Sequence, residues 1–190
     1  MRSYLIGFVA VVMALTLCSC KKTVKTVTSE VEATVAETEN QNASGADITW
    51  AKELFGEKLI RRDKSEVSVD ELQGKKRVAI YFSAHWCPPC RSFTPVLVEV
   101  YNKLKADGKK FELVFVSGDR GEEAMFDYMN GEKMEWLAIP FESDARQKLG
   151  DKFGVRSIPT LMILDDKGVV ITKNARMDVM NKGAAAFDQW

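Results

Sequence analysis

Val78-Ala79-Ile80-Tyr81-Phe82-Ser83-Ala84-His85-Trp86-Cys87-Pro88-Pro89-Cys90-Arg91 joins a continuous apolar run to two cysteines separated by two residues. The run has strand length and composition, and its lack of alternation suits a central strand covered on both faces. Past Cys87 the spacing changes, because Phe93, Val96, Leu97, Val100 and Leu104 recur at helical intervals until Asp107-Gly108 supplies a stop. The cysteines therefore lie at a strand-to-helix junction. Pro88 and Pro89 fall in the first helical turn, where a missing N–H costs little, and they stiffen the backbone between the sulfurs. Unpaired N–H groups and the helix dipole favour a thiolate at Cys87, and such sites lower a thiol pKa from about 8.5 to roughly 3.5–7.5. Cys87 is thus the expected nucleophile toward a disulfide. Cys90, one turn on and more buried, is the expected resolving thiol. Half of a zinc site has the same spacing, so spacing alone leaves both chemistries open.

Upstream, Lys58 to Arg62 and Glu66 to Val69 flank the polar turn Asp63-Lys64-Ser65, which predicts an N-terminal hairpin in a domain beginning near Trp50. Downstream, Phe111 to Val116 reads as a second buried strand. Glu122 to Met129 reads as a short helix ended by Asn130-Gly131, and Asp144 to Phe153 as another ended by Gly154. Ile158 to Leu164 and Val169 to Thr172 flank Asp165-Asp166-Lys167-Gly168, a second hairpin, and Val179 to Gln189 is expected to close the chain as a helix. Parallel strands joined by helices and followed by an antiparallel hairpin make an α/β sandwich. Pro95 removes a helical hydrogen bond and predicts a kink. Pro159 opens a strand, where a missing donor is tolerated and a cis peptide is one option.

The chain has 190 residues, 46% hydrophobic and 28% charged, an ordinary globular composition. Lys+Arg and Asp+Glu both number 27, so nothing in the net charge draws the chain toward nucleic acid or an anionic membrane surface. Membrane attachment is expected instead from the first twenty residues, with 1–19 as a signal peptide. Met1-Arg2-Ser3 and the apolar stretch Leu5 to Leu17 have the pattern of an export signal, too short for a spanning helix. Leu17-Cys18-Ser19-Cys20 resembles the lipobox of bacterial lipoproteins, which implies lipidation of Cys20 and loss of Cys18 with the signal. A plain cleaved signal with two incidental cysteines is the alternative. Residues 20–49 lack convincing periodicity and read as a flexible tether, although Val24, Val27, Val31 and Val35 recur at helical spacing. With Cys18 removed and Cys20 lipidated, Cys87 and Cys90 are the only free thiols and His85 the only histidine. A Cys₄ or Cys₂His₂ zinc site then lacks ligands.

Trp86-Cys87-Pro88-Pro89-Cys90 with Pro95, followed by Gly154-Val155-Arg156-Ser157-Ile158-Pro159-Thr160, resembles the thioredoxin superfamily. Phe82 to Pro95, Trp136 to Phe141 and Phe187 to Trp190 are similar to its tryparedoxin and nucleoredoxin branch. The resemblance covers about residues 54 to 190. It implies a thioredoxin-like three-layer sandwich with a central mixed sheet, the N-terminal hairpin and one additional helix around Glu122 to Met129. It also implies that Pro159 is cis and lies against the cysteines, and that the backbone of Ile158 pairs with a bound substrate chain. Thioredoxins carry a buried acidic residue six positions before the first cysteine. Tyr81 stands there in this chain, so that residue's proton-transfer role does not carry over.

The expected catalytic pair is Cys87 and Cys90, with Trp86, Pro88, Pro89, Ile158 and Pro159 as substrate contacts and no cofactor beyond the cysteine disulfide. His85 reads as a solvated loop residue, Arg91 either as a source of positive potential near the thiolate or as an ordinary exposed helical arginine, and Trp136 and Trp190 as core or edge packing. The activity expected is a membrane-tethered, exported thiol–disulfide oxidoreductase, monomeric, facing the periplasm or the cell exterior. It would reduce protein or small-molecule disulfides with electrons from an unidentified donor. The alternative is a copper or haem-maturation chaperone using the CxxC as ligands. Relatives of that kind generally carry CxxxC and a distant histidine, which this chain lacks.

Overall fold

The computed structural model describes residues 47–190. The expected signal segment 1–19, the lipidation site Cys20 and nearly all of the expected tether lie outside the described residues. Within them, the two buried runs of sequence become β3 (Arg77–Ser83) and β4 (Phe111–Ser117), paired in parallel from Arg77↔Phe111 to Ser83↔Ser117. Around them the chain runs α1 (Thr49–Phe55), β1 (Lys58–Ile60), β2 (Glu66–Ser68), then β3, α2 (Pro88–Ala106), β4, α3 (Glu122–Gly131) and β5 (Leu137–Ala138). It ends with α4 (Ala145–Phe153), β6 (Thr160–Asp165), β7 (Val170–Thr172), α5 (Ala175–Lys182) and a 3₁₀ segment, Gly183–Gln189. No helix of the described residues is long and apolar enough to cross a membrane.

The strands form one mixed sheet in the order β2-β1-β5-β4-β3-β6-β7. Because side chains alternate along a strand, β3, β4 and β6 each feed both faces. Ala79, Tyr81, Leu113, Phe115, Leu161 and Ile163 pack on one face with α2, α3 and α5. Val78, Ile80, Phe82, Val114, Val116, Met162 and Leu164 pack on the other with α1 and α4. Three layers result, as expected, and the unbroken apolar runs are explained by double coverage.

Several expectations shift in detail. Helix α1 starts at Thr49, within the last residue of the expected tether, and buries Ala51, Leu54 and Phe55. Strand β5 pairs only two residues with β4. The C-terminal helix begins at Ala175 and is over by Lys182, so the stretch to Gln189 is 3₁₀ rather than α-helical. Helix α2 holds Pro95 in its interior and continues past it to Ala106. Two glycines fix turns: Gly154 caps α4 at φ 66°, and Gly168, at φ 78°, lets the indole of Trp50 lie across the β6–β7 turn. Trp50 Nε1 donates to the Asp166 carbonyl there, at 3.2 Å.

Candidate functional site

Strand β3 ends at Ser83 and the chain turns through Ala84, His85 and Trp86 before Cys87 caps α2, with extended dihedrals of φ −92° and ψ 109°. Both prolines occupy the first turn, and the N–H groups of Cys90 and Arg91 both donate to the Cys87 carbonyl, at 3.1 Å. Cys87 and Cys90 are joined as a disulfide with Cα atoms 5.2 Å apart. Cys90 is fully buried while Cys87 keeps 4% exposure, the order expected of resolving and attacking sulfurs.

The remaining expected contacts converge on that disulfide. The Ile158–Pro159 peptide is cis, and the Cys87 sulfur lies 3.9 Å from the Ile158 carbonyl oxygen. Trp86, Cys87, Pro88, Pro89, Arg156 and Ile158 line an open groove of about 550 Å³, with Val155 and Ser157 completing its wall. Pro159 is buried behind Ile158. Trp86 stands 54% exposed at the rim, held by its Nε1 donating to the Gly118 carbonyl at 3.0 Å. On its other side is a second hollow of about 320 Å³, lined by His85, Trp86, Arg91, Asp119, Arg120 and Ala124. His85 is exposed as expected, and its ring stacks on Tyr128 at 5.3 Å. Trp136 is buried in the core, and Trp190 packs with Phe111 and Phe187.

Two groups of supporting residues escaped the sequence. The first is the turn after β4. Asp119, 5% exposed, accepts the His85 N–H at 2.8 Å and the Ser117 hydroxyl at 2.8 Å, while the Gly118 N–H donates to the Ser83 carbonyl. Arg146 of α4 donates to the carbonyls of Ser117 and Asp119. A polar residue at the end of a buried strand beside the CxxC strand is the signal that could have flagged Asp119.

The second group replaces the missing buried acid. The Tyr81 phenol lies 2.7 Å from the Thr94 hydroxyl, Tyr128 lies 2.5 Å from that same hydroxyl, and Ser83 lies 3.1 Å from Tyr128. Thr94 donates to the Cys90 carbonyl at 3.0 Å, so its oxygen is left to accept from both phenols, and Ser83 donates to Tyr128. Every hydroxyl in the cluster finds a partner. Burial, and next the proximity of Tyr128, push the Tyr81 phenol well above its ordinary value of 10.0; burial also raises Tyr128. Both phenols therefore stay protonated near neutrality and act as hydrogen-bond donors rather than bases. They tie β3 and α3 to the second turn of α2.

A strand-to-helix loop, a buried sulfur behind a more accessible one and a cis proline beside them define a dithiol–disulfide site on a thioredoxin-like scaffold. The chain belongs to the thioredoxin-like family, whose profile matches residues 74–170. It is 44% identical over 142 residues to tryparedoxin of Trypanosoma brucei brucei, covering 74% of this chain and 96% of that one. It is 42% identical over 151 residues to nucleoredoxin of Danio rerio, covering 77% of this chain but 35% of that protein. The chain thus spans about a third of the length of the nucleoredoxins it matches. A tryparedoxin II complexed with glutathionylspermidine superposes with a TM-score of 0.64 at 36% identity, covering 73% of this chain and 94% of that one.

Proposed function

We propose that the protein is a thiol–disulfide oxidoreductase that reduces disulfides through a Cys87/Cys90 cycle. The observation that carries this reading is the placement of the Cys87 sulfur at an open groove beside the Ile158 carbonyl, with Cys90 bonded behind it. In the reduced enzyme the Cys87 thiolate attacks one sulfur of a substrate disulfide. The substrate S–S bond breaks and its other sulfur leaves as a thiolate that takes a proton from solvent. The Cys90 thiolate then attacks Cys87, closing the enzyme disulfide and releasing the second substrate thiol. Two electrons pass from enzyme to substrate, and a dithiol donor returns them. A protein segment fits the groove through backbone pairing at Ile158. A small-molecule disulfide is the second candidate, since a related tryparedoxin II is complexed with glutathionylspermidine.

The reducing direction is supported by Ile158, since many reducing thioredoxins carry isoleucine before the cis proline. We further propose export and anchoring at a membrane through lipidated Cys20, followed by a tether, with the domain facing the periplasm or the cell exterior. The charge-poor stretch Leu5 to Leu17 and the Leu17–Cys20 pattern support this.

Insulin reduction driven by dithiothreitol tests the chemistry. Wild type should accelerate it and Cys87→Ser should lose the acceleration; equal rates would refute the proposal. Cys90→Ser should trap a mixed disulfide with substrate. Metabolic labelling with a clickable palmitate analogue tests the anchor. Label that persists in Cys20→Ala would exclude it.

A further inference from the structure

The two hollows flanking Trp86 carry charge that the cysteine chemistry does not use. Arg91 and Arg120 line one and Arg156 the other, and all three are exposed. None of them pairs with a carboxylate of the described residues. Lys52, Lys58, Arg61, Arg62 and Lys76 each hold an acidic partner within 4.0 Å, whereas Lys64, Lys110 and Arg176 are unpaired too among the described residues, so it is the position of the three arginines beside the disulfide that sets them apart. Arg91 gives one N–H to the His85 carbonyl, at 2.9 Å, and keeps the rest of its guanidinium for solvent. The carboxylate lining the same hollow, Asp119, is buried, with one oxygen on the His85 N–H and the other on the Ser117 hydroxyl. Glu122 and Glu123 open α3 after Arg120, where the helix N-terminus favours their charge. In a chain whose charges balance, three unpaired arginines astride the reactive disulfide are a local excess rather than a reflection of composition.

We propose that this excess selects the substrate: a peptide disulfide with acidic residues on both sides of the cysteine attacked. The inference rests on the oxidoreductase reading and names its substrate class. A chain lying over Cys87 along Ile158 runs past Arg156 on one side of Trp86 and toward Arg91 and Arg120 on the other. Guanidinium groups suit carboxylates at both ends because their forked donors match the two oxygens. The electron transfer is unchanged: the substrate disulfide gains two electrons from the Cys87/Cys90 dithiol, which dithiothreitol restores in the assay. A polyamine-bearing ligand like the glutathionylspermidine of the tryparedoxin II complex meets the wrong sign of charge here.

The probes are the symmetrical disulfides of three blocked tripeptides, Glu-Cys-Glu, Gln-Cys-Gln and Lys-Cys-Lys, each reduced by the full chain. Exposed pairs contribute about twofold each in an equilibrium, so wild type should prefer the acidic over the basic probe by about tenfold in kcat/KM at low salt. The preference should shrink to about twofold in 0.5 M salt, where the Debye length is only a few ångströms. Arg91→Gln/Arg120→Gln/Arg156→Gln should abolish it, the corresponding triple lysine variant should keep most of it, and Arg62→Gln should keep all of it. The readout is a ratio of two substrates on one sample, so a partly unfolded variant does not distort it. Equal kcat/KM for all three probes in wild type, or an undiminished ratio in the triple glutamine variant, would overturn the proposal. Reduction of none of the probes, nor of insulin, would overturn the oxidoreductase reading beneath it.

Discussion

Replacing Thr94 by valine keeps the shape of the side chain and removes one oxygen, and that oxygen serves three groups. Tyr81 loses the acceptor 2.7 Å away, the Cys90 carbonyl loses its hydroxyl donor, and Tyr128 falls back on Ser83. A buried polar group left without its partner costs about 1–3 kcal/mol. With one phenol orphaned outright and the other groups partly compensated, Thr94→Val should destabilise the oxidised domain by about 2 kcal/mol, a fall in Tm of about 4–8 °C. Tyr81→Phe should cost less, about 1 kcal/mol, because Thr94 keeps Tyr128 and Cys90. The informative variant is the double, in which no Tyr81 phenol is left to be orphaned. Its cost in urea denaturation should fall short of the sum of the singles by about 1 kcal/mol or more. Costs that add to within about 0.5 kcal/mol would refute the shared-oxygen account.

Alkaline pH should act on the same cluster. Burial holds the protons of Tyr81 and Tyr128 in the folded state, and burial together with the Glu112 carboxylate does so at Tyr101. The unfolded chain releases these protons first, near pH 10. Stability should therefore be level below about pH 10 and fall as pH rises past it, with a shallower fall in Tyr101→Phe; identical slopes for both proteins would contradict this. Asp119→Ala takes the acceptor from the part-buried His85 N–H and frees the loop that carries Trp86, so it should cost about 1 kcal/mol and slow insulin reduction at least severalfold. Wild-type rates in a folded Asp119→Ala protein would show that the loop needs no such anchor. At Gly168 an added Cβ would lie 2.7 Å from the Trp50 ring at a backbone φ of +78°, so Gly168→Ala should displace the indole. A red-shifted tryptophan emission and a loss of about 1–3 kcal/mol are expected; an unchanged spectrum would count against it.

The sequence carried the layers of this fold because its strongest signals are periodic. Unbroken apolar runs at Val78–Phe82 and Phe111–Val116 have the length and composition of doubly covered strands, and the stripe from Phe93 to Leu104 has the spacing of one face of a helix. The site was equally open to reading at Cys87, Cys90, Trp86, Ile158 and Pro159, since each is chemically distinctive or sits in a recognisable motif. What stayed hidden depends on contacts between distant residues. Strand β5 is two residues long and takes its identity from its neighbours β4 and β1. Helix α1 is seven residues with no acidic first turn and no side-chain cap, so local signals do not announce it. Tyr81, Thr94 and Tyr128 come from three elements, and each alone looks like core packing. Only their convergence turns the missing acid into a cluster of hydroxyls.

The placement of Trp50 gives the domain a front and a back. Strands β3 and β4 both deliver their C-terminal ends, Ser83 and Ser117, to the disulfide, while β6 starts there and runs the opposite way to Asp165. The turn that Trp50 covers is therefore at the far pole of the sheet, about 20 Å from the cysteines along a seven-residue strand. Asp47 lines the same hollow as Trp50, Asp166 and Lys167. The described chain thus enters the domain at its rear, at Asp47, and a group attached to that residue would stand a full strand length away from Cys87.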